Sequence, residues 1–181
     1  MLQVGRQKAE KQQLKNLIFL QGEAEQLPFA DASFDLVFSR LAMHHFAQME
    51  PPFWEMVRVL RPGGRLAIID MQAAPEPLRE REDHLETLRD PSHVKNRSLE
   101  ELLALFKAGG IQPIKQDTTP IAVSLQAWLE LTKTPPQICQ EIQEALEVEL
   151  SGGPQTGFEP FVKDGALHFW QRWLFLLGKK Q

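Results

Sequence analysis

Residues 33–70 read SFDLVFSRLAMHHFAQMEPPFWEMVRVLRPGGRLAIID, and this stretch decides the fold. Phe34 to Ser39 is a short strand, apolar on both faces. It leads into a loop carrying His44 and His45. A helical pattern covers Pro52 to Leu60, and Pro62-Gly63-Gly64 closes it with a turn. Arg65 to Asp70 is a second strand, again apolar on both sides. A strand–loop–helix–turn–strand unit of this length suits a parallel crossover. Strands buried on both faces and separated by helices predict an α/β parallel sheet covered on both sides. Ligands of such sheets sit beyond the carboxyl ends of the strands. That rule places three clusters along one rim: Glu23-Ala24, Ser39 to His45, and Asp70 to Ala73.

Upstream, Met1 to Leu14 predicts an amphipathic helix. Leu17-Ile18-Phe19-Leu20 predicts a short buried strand, and Pro28 sits in the loop after it. Downstream, Pro77 to Leu88 is a charged helical segment broken at Arg89 to Val94. Ser98 and Glu101 form a capping box for a helix that Gly109-Gly110 ends. Ile111 to Ile121 reads as extended. Leu125 to Leu131 and Pro136 to Leu150 read as helices, Ser151 to Pro160 as a loop, and Leu167 to Leu177 as a final strand.

The 181 residues, 43% of them hydrophobic and 24% charged, are those of one ordinary globular domain spanning 1–181. A net charge of −4 gives no electrostatic case for nucleic acid or an anionic membrane. The single cysteine, Cys139, excludes an intrachain disulfide and a multi-cysteine metal site, and fits a reducing cytoplasm. The opening residues are charged and helical, unlike a signal peptide. The apolar run Trp173 to Leu177 is far too short to span a bilayer.

Three runs, GEAEQLPFADASFDLVFSRLAMHHF, EMVRVLRPGGRLAIID, and RDPSHV followed by SLEELLALFKAGG, resemble the class I S-adenosylmethionine-dependent methyltransferases. The nearest branch is type 11, close to the ubiquinone and menaquinone methyltransferases. The resemblance implies a Rossmann-like sheet with strands in the order 3-2-1-4-5-7-6 and the last antiparallel. Leu17 to Leu20 then matches the third strand, Phe34 to Ser39 the fourth and Arg65 to Asp70 the fifth. Ile111 to Ile121 and Leu167 to Leu177 match the sixth and seventh. Family members open with a strand and a glycine-rich loop of the type D-x-G-x-G-x-G, then a second strand ending in an acid. Neither occurs in these residues, and Met1-Leu2 matches the position just after the second strand. The expectation is a truncated sheet, first two strands absent, that bares one edge of Phe34–Ser39. Either Leu17–Leu20 re-pairs with that edge, or a second copy or partner chain covers it, or the fold is marginal.

The resemblance also implies roles. Glu23 and Ala24 would meet the adenine of S-adenosylmethionine, as acceptor and backbone donor; the plain alternative is a solvated loop acid. Ser39, Arg40 and Leu41 would border its methionine and sulfonium, with Arg40 equally readable as a surface charge. His44 and His45 have three readings: packing or capping, a general base in the acceptor cavity, or a metal pair. Adjacent histidines make a poor chelate, and no metal is expected. His93, with Asp90 and Arg97, reads either as a base or substrate anchor, or as turn chemistry before Ser98. Segments 76–108 and 124–160 would lie over the active-site mouth. Trp128, Trp170 and Trp173 read as core.

Methyl transfer asks the protein for alignment and, for O- or N-acceptors, for proton removal. No catalytic residue carries over from the resemblance; His44, His45 and His93 are the candidates. The expected function is methyl transfer to a small-molecule or lipid-like acceptor. The rival is a non-catalytic methyltransferase-like module that works through its exposed sheet edge. A hydrolase lacks any G-x-S-x-G nucleophile motif.

Overall fold

The computed structural model describes residues 2–181; Met1, which opens the expected first helix, lies outside them. In chain order the elements are α1 (Leu2–Lys11), β1 (Phe34–Arg40), a short 3-10 turn (Met43–His45), α2 (Glu50–Val59), β2 (Leu60–Met71), α3 (Arg79–Arg89), α4 (Leu99–Ala108), β3 (Ile111–Ser124), α5 (Leu125–Leu131), α6 (Pro136–Leu150), β4 (Phe161–Lys163) and β5 (Ala166–Lys180).

The sheet runs β1-β2-β5-β3, with β4 paired to the outer end of β5. This is the right-hand half of the order the resemblance implied, with the last long strand antiparallel to both neighbours. The apolar pattern alone had predicted a parallel sheet. Only β1 and β2 pair in parallel; β3 runs in their direction but pairs with the antiparallel β5. Alternation of strand and helix does not reveal that β5 inserts between β2 and β3.

Local chemistry sets most boundaries. Prolines in the first turn start α2, where their missing N–H groups would be unpaired anyway. Ser98 accepts from the Glu101 N–H while the Glu101 carboxylate accepts from the Ser98 N–H, a complete capping box for α4. Pro62-Gly63-Gly64 does not form the expected turn. It is a bulge inside β2: Phe34 faces Leu60, but Leu36 already faces Arg65. Gly63 takes φ 75, a left-handed conformation that favours glycine. Phe161–Lys163 and the start of β5 form a hairpin around Asp164-Gly165, both at positive φ.

Along β1, Val37 points to the face that α2 and α4 cover. There it packs with Leu66, Ile68, Leu174 and Leu176 of the sheet, and with Phe53 and Phe106 of the two helices. Leu36 and Phe38 point the other way and are 55% and 53% exposed. The expected cover on both faces is therefore corrected at β1. Farther out, α3, α5 and α6 enclose a second core around Trp128, Ile142, Leu146 and Phe169.

Leu17–Leu20 is not a strand and does not re-pair with β1. Ile18 is 85% exposed. Four residues cannot hold an extended form without a neighbour to take their N–H and C=O groups. Phe19 packs its ring on Gly5, and its carbonyl accepts from Arg6. Of the tryptophans, Trp128 is core. Trp173 is half-buried, and Trp170 is an exposed face stacked on Phe161.

Candidate active site

The site grows from the carboxyl end of β2. Asp70 is 2% exposed and takes a hydrogen bond from four directions. Its Oδ2 accepts from the backbone N–H groups of Ala42 at 3.0 Å and Met43 at 2.7 Å. Its Oδ1 accepts from Met71 N–H at 2.8 Å and pairs with His44 Nδ1 at 2.5 Å. A carboxylate only accepts, so His44 Nδ1 carries a proton and donates it to Asp70. Among the described residues Nε2 has no hydrogen-bond partner, and it is open to solvent at the rim. The strand end supports this: Leu41 turns at φ 50 and donates to Ile69 O at 2.8 Å.

The crossover between α3 and α4 closes over this point. The His44 carbonyl accepts from Val94 and Lys95 N–H at 3.0 and 3.1 Å. His45 Nδ1 lies 2.9 Å from the Ser92 carbonyl, to which it donates. Ser92 in turn donates to Asp90, an Asx turn. His93 stacks on His44 with ring centroids 5.5 Å apart, pairs through Nε2 with Asp83 at 2.9 Å, and leaves a buried Nδ1 unpartnered. Arg97 holds the Phe46 carbonyl at 2.7 Å. The structure thus brings His44, His45, His93, Asp90 and Arg97 into one cluster.

Beneath it, α3 presents two buried acids. Glu82 accepts from Ala74 N–H at 2.7 Å and lies 3.4 Å from Arg172. Burial pushes its carboxyl up to about 7, the nearby N–H and Arg172 working against that. Glu86, 3.8 Å from Arg89 and otherwise unpartnered at Oε2, is pushed up by burial to about 8.

Ser39 is half-buried beside Ile68 on the sheet, and the Arg40 guanidinium lies over the Trp173 ring at 5.0 Å. Glu23 is exposed, in a turn that closes on Gln26, and Ala24 is half-buried there. The run before them is no strand, so this turn is not hydrogen-bonded into the sheet. The next residues are tied instead to α2. Glu55 accepts from Leu27 N–H at 2.7 Å, and Arg58 donates to Leu27, Phe29 and Asp31. The bond from Arg58 holds the Glu55 carboxyl down at about 2.

Comparison with known proteins decides the family. A family description, "Methyltransferase domain", matches residues 1–68. The uncharacterized protein YafE of Escherichia coli K12 is 37% identical over 144 residues, covering 79% of this chain and 70% of that protein. The uncharacterized methyltransferase YcgJ of Bacillus subtilis is 39% identical over 138 residues, 75% of this chain and 54% of its own length. The solved YcgJ structure superposes with a TM-score of 0.83 at 32% identity, over 100% of this chain and 78% of that one. The chain belongs to the class I S-adenosylmethionine-dependent methyltransferases. A shorter match, 43% over 70 residues, is to the demethylmenaquinone methyltransferase of Listeria innocua, covering 39% of this chain and 30% of that enzyme.

The residues present match the cofactor only in part. Glu23 followed by Ala24 supplies an acceptor beside a donor, and Ser39 stands at the strand end. The glycine cradle for the methionine end is not among these 181 residues. The residues present therefore do not by themselves fit the whole cofactor. Sequence reasoning placed Asp70 on the rim but missed its part as the hub. An acid ending an apolar strand, with a histidine one loop away, was the available signal. Among the described residues, no helix is long and apolar enough to cross a membrane.

Proposed function

We propose that this protein acts in S-adenosylmethionine-dependent methyl transfer to a small-molecule or lipid-like acceptor in a reducing cytoplasm. Its rim receives the acceptor and takes up its proton. The observation that carries this reading is the Asp70–His44 pair. It fixes one ring nitrogen as donor and presents the other as a base, which is what an O- or N-acceptor requires. The acceptor O–H or N–H would give its proton to His44 Nε2, and Asp70 would stabilise the resulting imidazolium. The bound cofactor would supply an activated methyl group. Glu23 and Ala24 would lie at the adenine, Ser39 and Arg40 nearer the sulfonium. His45 and His93 would line the pocket. Segment 76–108 would cover the mouth, as the bonds from Val94 and Lys95 to His44 suggest, with 124–160 forming a wall farther out. The demethylmenaquinone methyltransferase relative is compatible with a lipid-like acceptor.

The test is calorimetric titration of S-adenosylmethionine, and of its demethylated product, into the 181-residue chain. Micromolar binding that Glu23→Ala abolishes would support the cofactor assignment. Absence of heat at millimolar ligand would reject this chain as a cofactor-binding enzyme.

A second reading rests on Leu36 and Phe38, exposed at an unpaired strand edge. On it the chain is a methyltransferase-like module whose β1 edge pairs with a second copy or a partner chain. Sedimentation of the wild type and of Phe38→Lys would separate the two. Concentration-dependent association lost in the variant favours the module; a monomer at all concentrations removes it.

A further inference from the structure

The Asp70–His44 pair has a second carboxylate–histidine pair against it. Asp83, on α3, accepts at Oδ1 from His93 Nε2 at 2.9 Å. The same oxygen accepts from the Asn96 backbone N–H at 2.7 Å. One carboxylate of α3 therefore holds both a ring and a backbone group of the crossover. The His93 side chain is 2% exposed and that of Asp83 15%. A carboxylate only accepts, so His93 Nε2 donates to Asp83, while Nδ1 is buried without a partner. Neither nitrogen of His93 is presented at the rim, so this ring acts by its face.

That face meets His44. The two ring centroids lie 5.5 Å apart with planes 28° from parallel, the geometry of an attractive ring pair. His45 is nearer to His44, at 4.1 Å, but tilted by 50°, and Ser92 of the same crossover takes its Nδ1 proton. Among the described residues the His44 ring makes one hydrogen bond, to Asp70. One bond fixes Nδ1 but lets the ring turn about it. A contact on the ring face fixes the plane, and with it the direction of Nε2. We infer that Asp83, acting through His93, is a positioning residue that sets the plane of the His44 ring. Its consequence for proton uptake rests on the reading of His44 as the rim base; the positioning itself does not.

The reporter is the His44 Nδ1 proton, which a held ring keeps on Asp70 and away from water. Its resonance is followed by NMR of the full chain with isotope-labelled imidazole nitrogens, and assigned by its loss in His44→Gln. Asp83→Ala leaves the His93 Nε2–H a buried donor without an acceptor, which drives that ring out of the stack. Exchange of the His44 proton with water should then quicken about tenfold. Asp83→Asn keeps a side-chain oxygen that accepts both bonds, and should hold exchange within about twofold of wild type. His93→Ala should quicken exchange about tenfold as well, and carries the test should Asp83→Ala not fold. His93→Phe keeps a ring on His44 with no donor to satisfy, and should stay within about twofold of wild type. Amide exchange along 66–69 is expected to stay slow in every variant. Unchanged exchange of the His44 proton in both alanine variants overturns the inference. So does Asp83→Asn as fast as Asp83→Ala, or His93→Phe as fast as His93→Ala. Equal quickening of the ring proton and of the 66–69 amides also overturns it, since the effect is then on the fold and not on the ring. The measurements use neither cofactor nor acceptor, so their failure leaves the methyl-transfer reading to its own calorimetric test.

Discussion

Leu17-Ile18-Phe19-Leu20 and Leu66-Ala67-Ile68-Ile69 are the same kind of sequence: four apolar residues, each run followed within a few positions by an acid. One is exposed coil, with Ile18 at 85%. The other is a central strand in which Leu66 and Ile68 are fully buried. The difference lies in neighbours. β2 has β1 on one side and β5 on the other to take its backbone groups, and α2 and α4 to cover its side chains. The first run has no such partners. Apolar content makes a strand permissible; pairing makes it real.

The comparison can be broken by mutation. Leu66→Ala should destabilise the fold by about 3 kcal/mol, read as a lower urea midpoint, because it opens a cavity in a closed core. Ile18→Ala should change it by less than about 0.5 kcal/mol. Equal effects would mean that the first run is also a buried strand in solution.

The acids after the two runs sharpen it. Asp70→Asn keeps the shape but loses the charge that four donors share, and should cost about 2 kcal/mol and release His44. A shift in the His44 ring proton resonance would check the release. Glu23→Gln, in an exposed turn, should leave the urea midpoint unchanged.

A pH scan tests the acids under the paired strand. The folded-state carboxyls of Glu82 and Glu86 are raised by burial to about 7 and about 8, above their ordinary value of 4.5. A raised carboxyl adds stability that is fully present below pH 4.5 and is lost as pH rises through the folded value. Thermal midpoints should therefore fall between pH 5 and pH 8. Glu86→Gln should flatten that fall and gain about 2 kcal/mol at pH 8. A midpoint independent of pH in the wild type would contradict the buried state of α3.

The smallest effect concerns the tether of the unpaired run. Arg58→Ala removes the bonds to Leu27, Phe29 and Asp31. Proteolysis within residues 20–33 should quicken, while amide exchange along 66–69 stays slow.

Much of the fold was legible in short-range chemistry. The capping box at Ser98, the helices 125–131 and 136–150, and the glycine stop at 109–110 came directly from residue types at fixed offsets. The strand order came from the resemblance, and the family comparison agrees with it. Three features were not legible. Pro62-Gly63-Gly64 reads as a turn whether it ends a helix or bulges a strand, and only the register of β1 distinguishes them. Burial on both faces of β1 follows from a strand that is apolar on both faces, yet exposure depends on what stands opposite. At the site, the histidines were visible as candidates, but Asp70 as their hub was not. Nothing local to Asp70 reveals that Ala42, Met43 and His44 return to it from the turn after β1.

The sequence by itself determined which segments can be helices and strands, and which polar residues sit at strand ends. Propensity, capping and alternation act within a few residues, so they can be read along the chain. Tertiary structure alone decided that Leu17–Leu20 goes unpaired, that Leu36 and Phe38 stay exposed on β1, and that His44 meets Asp70. Pairing and charge compensation act between residues far apart in sequence, and their free energy exists only once those residues have been brought together.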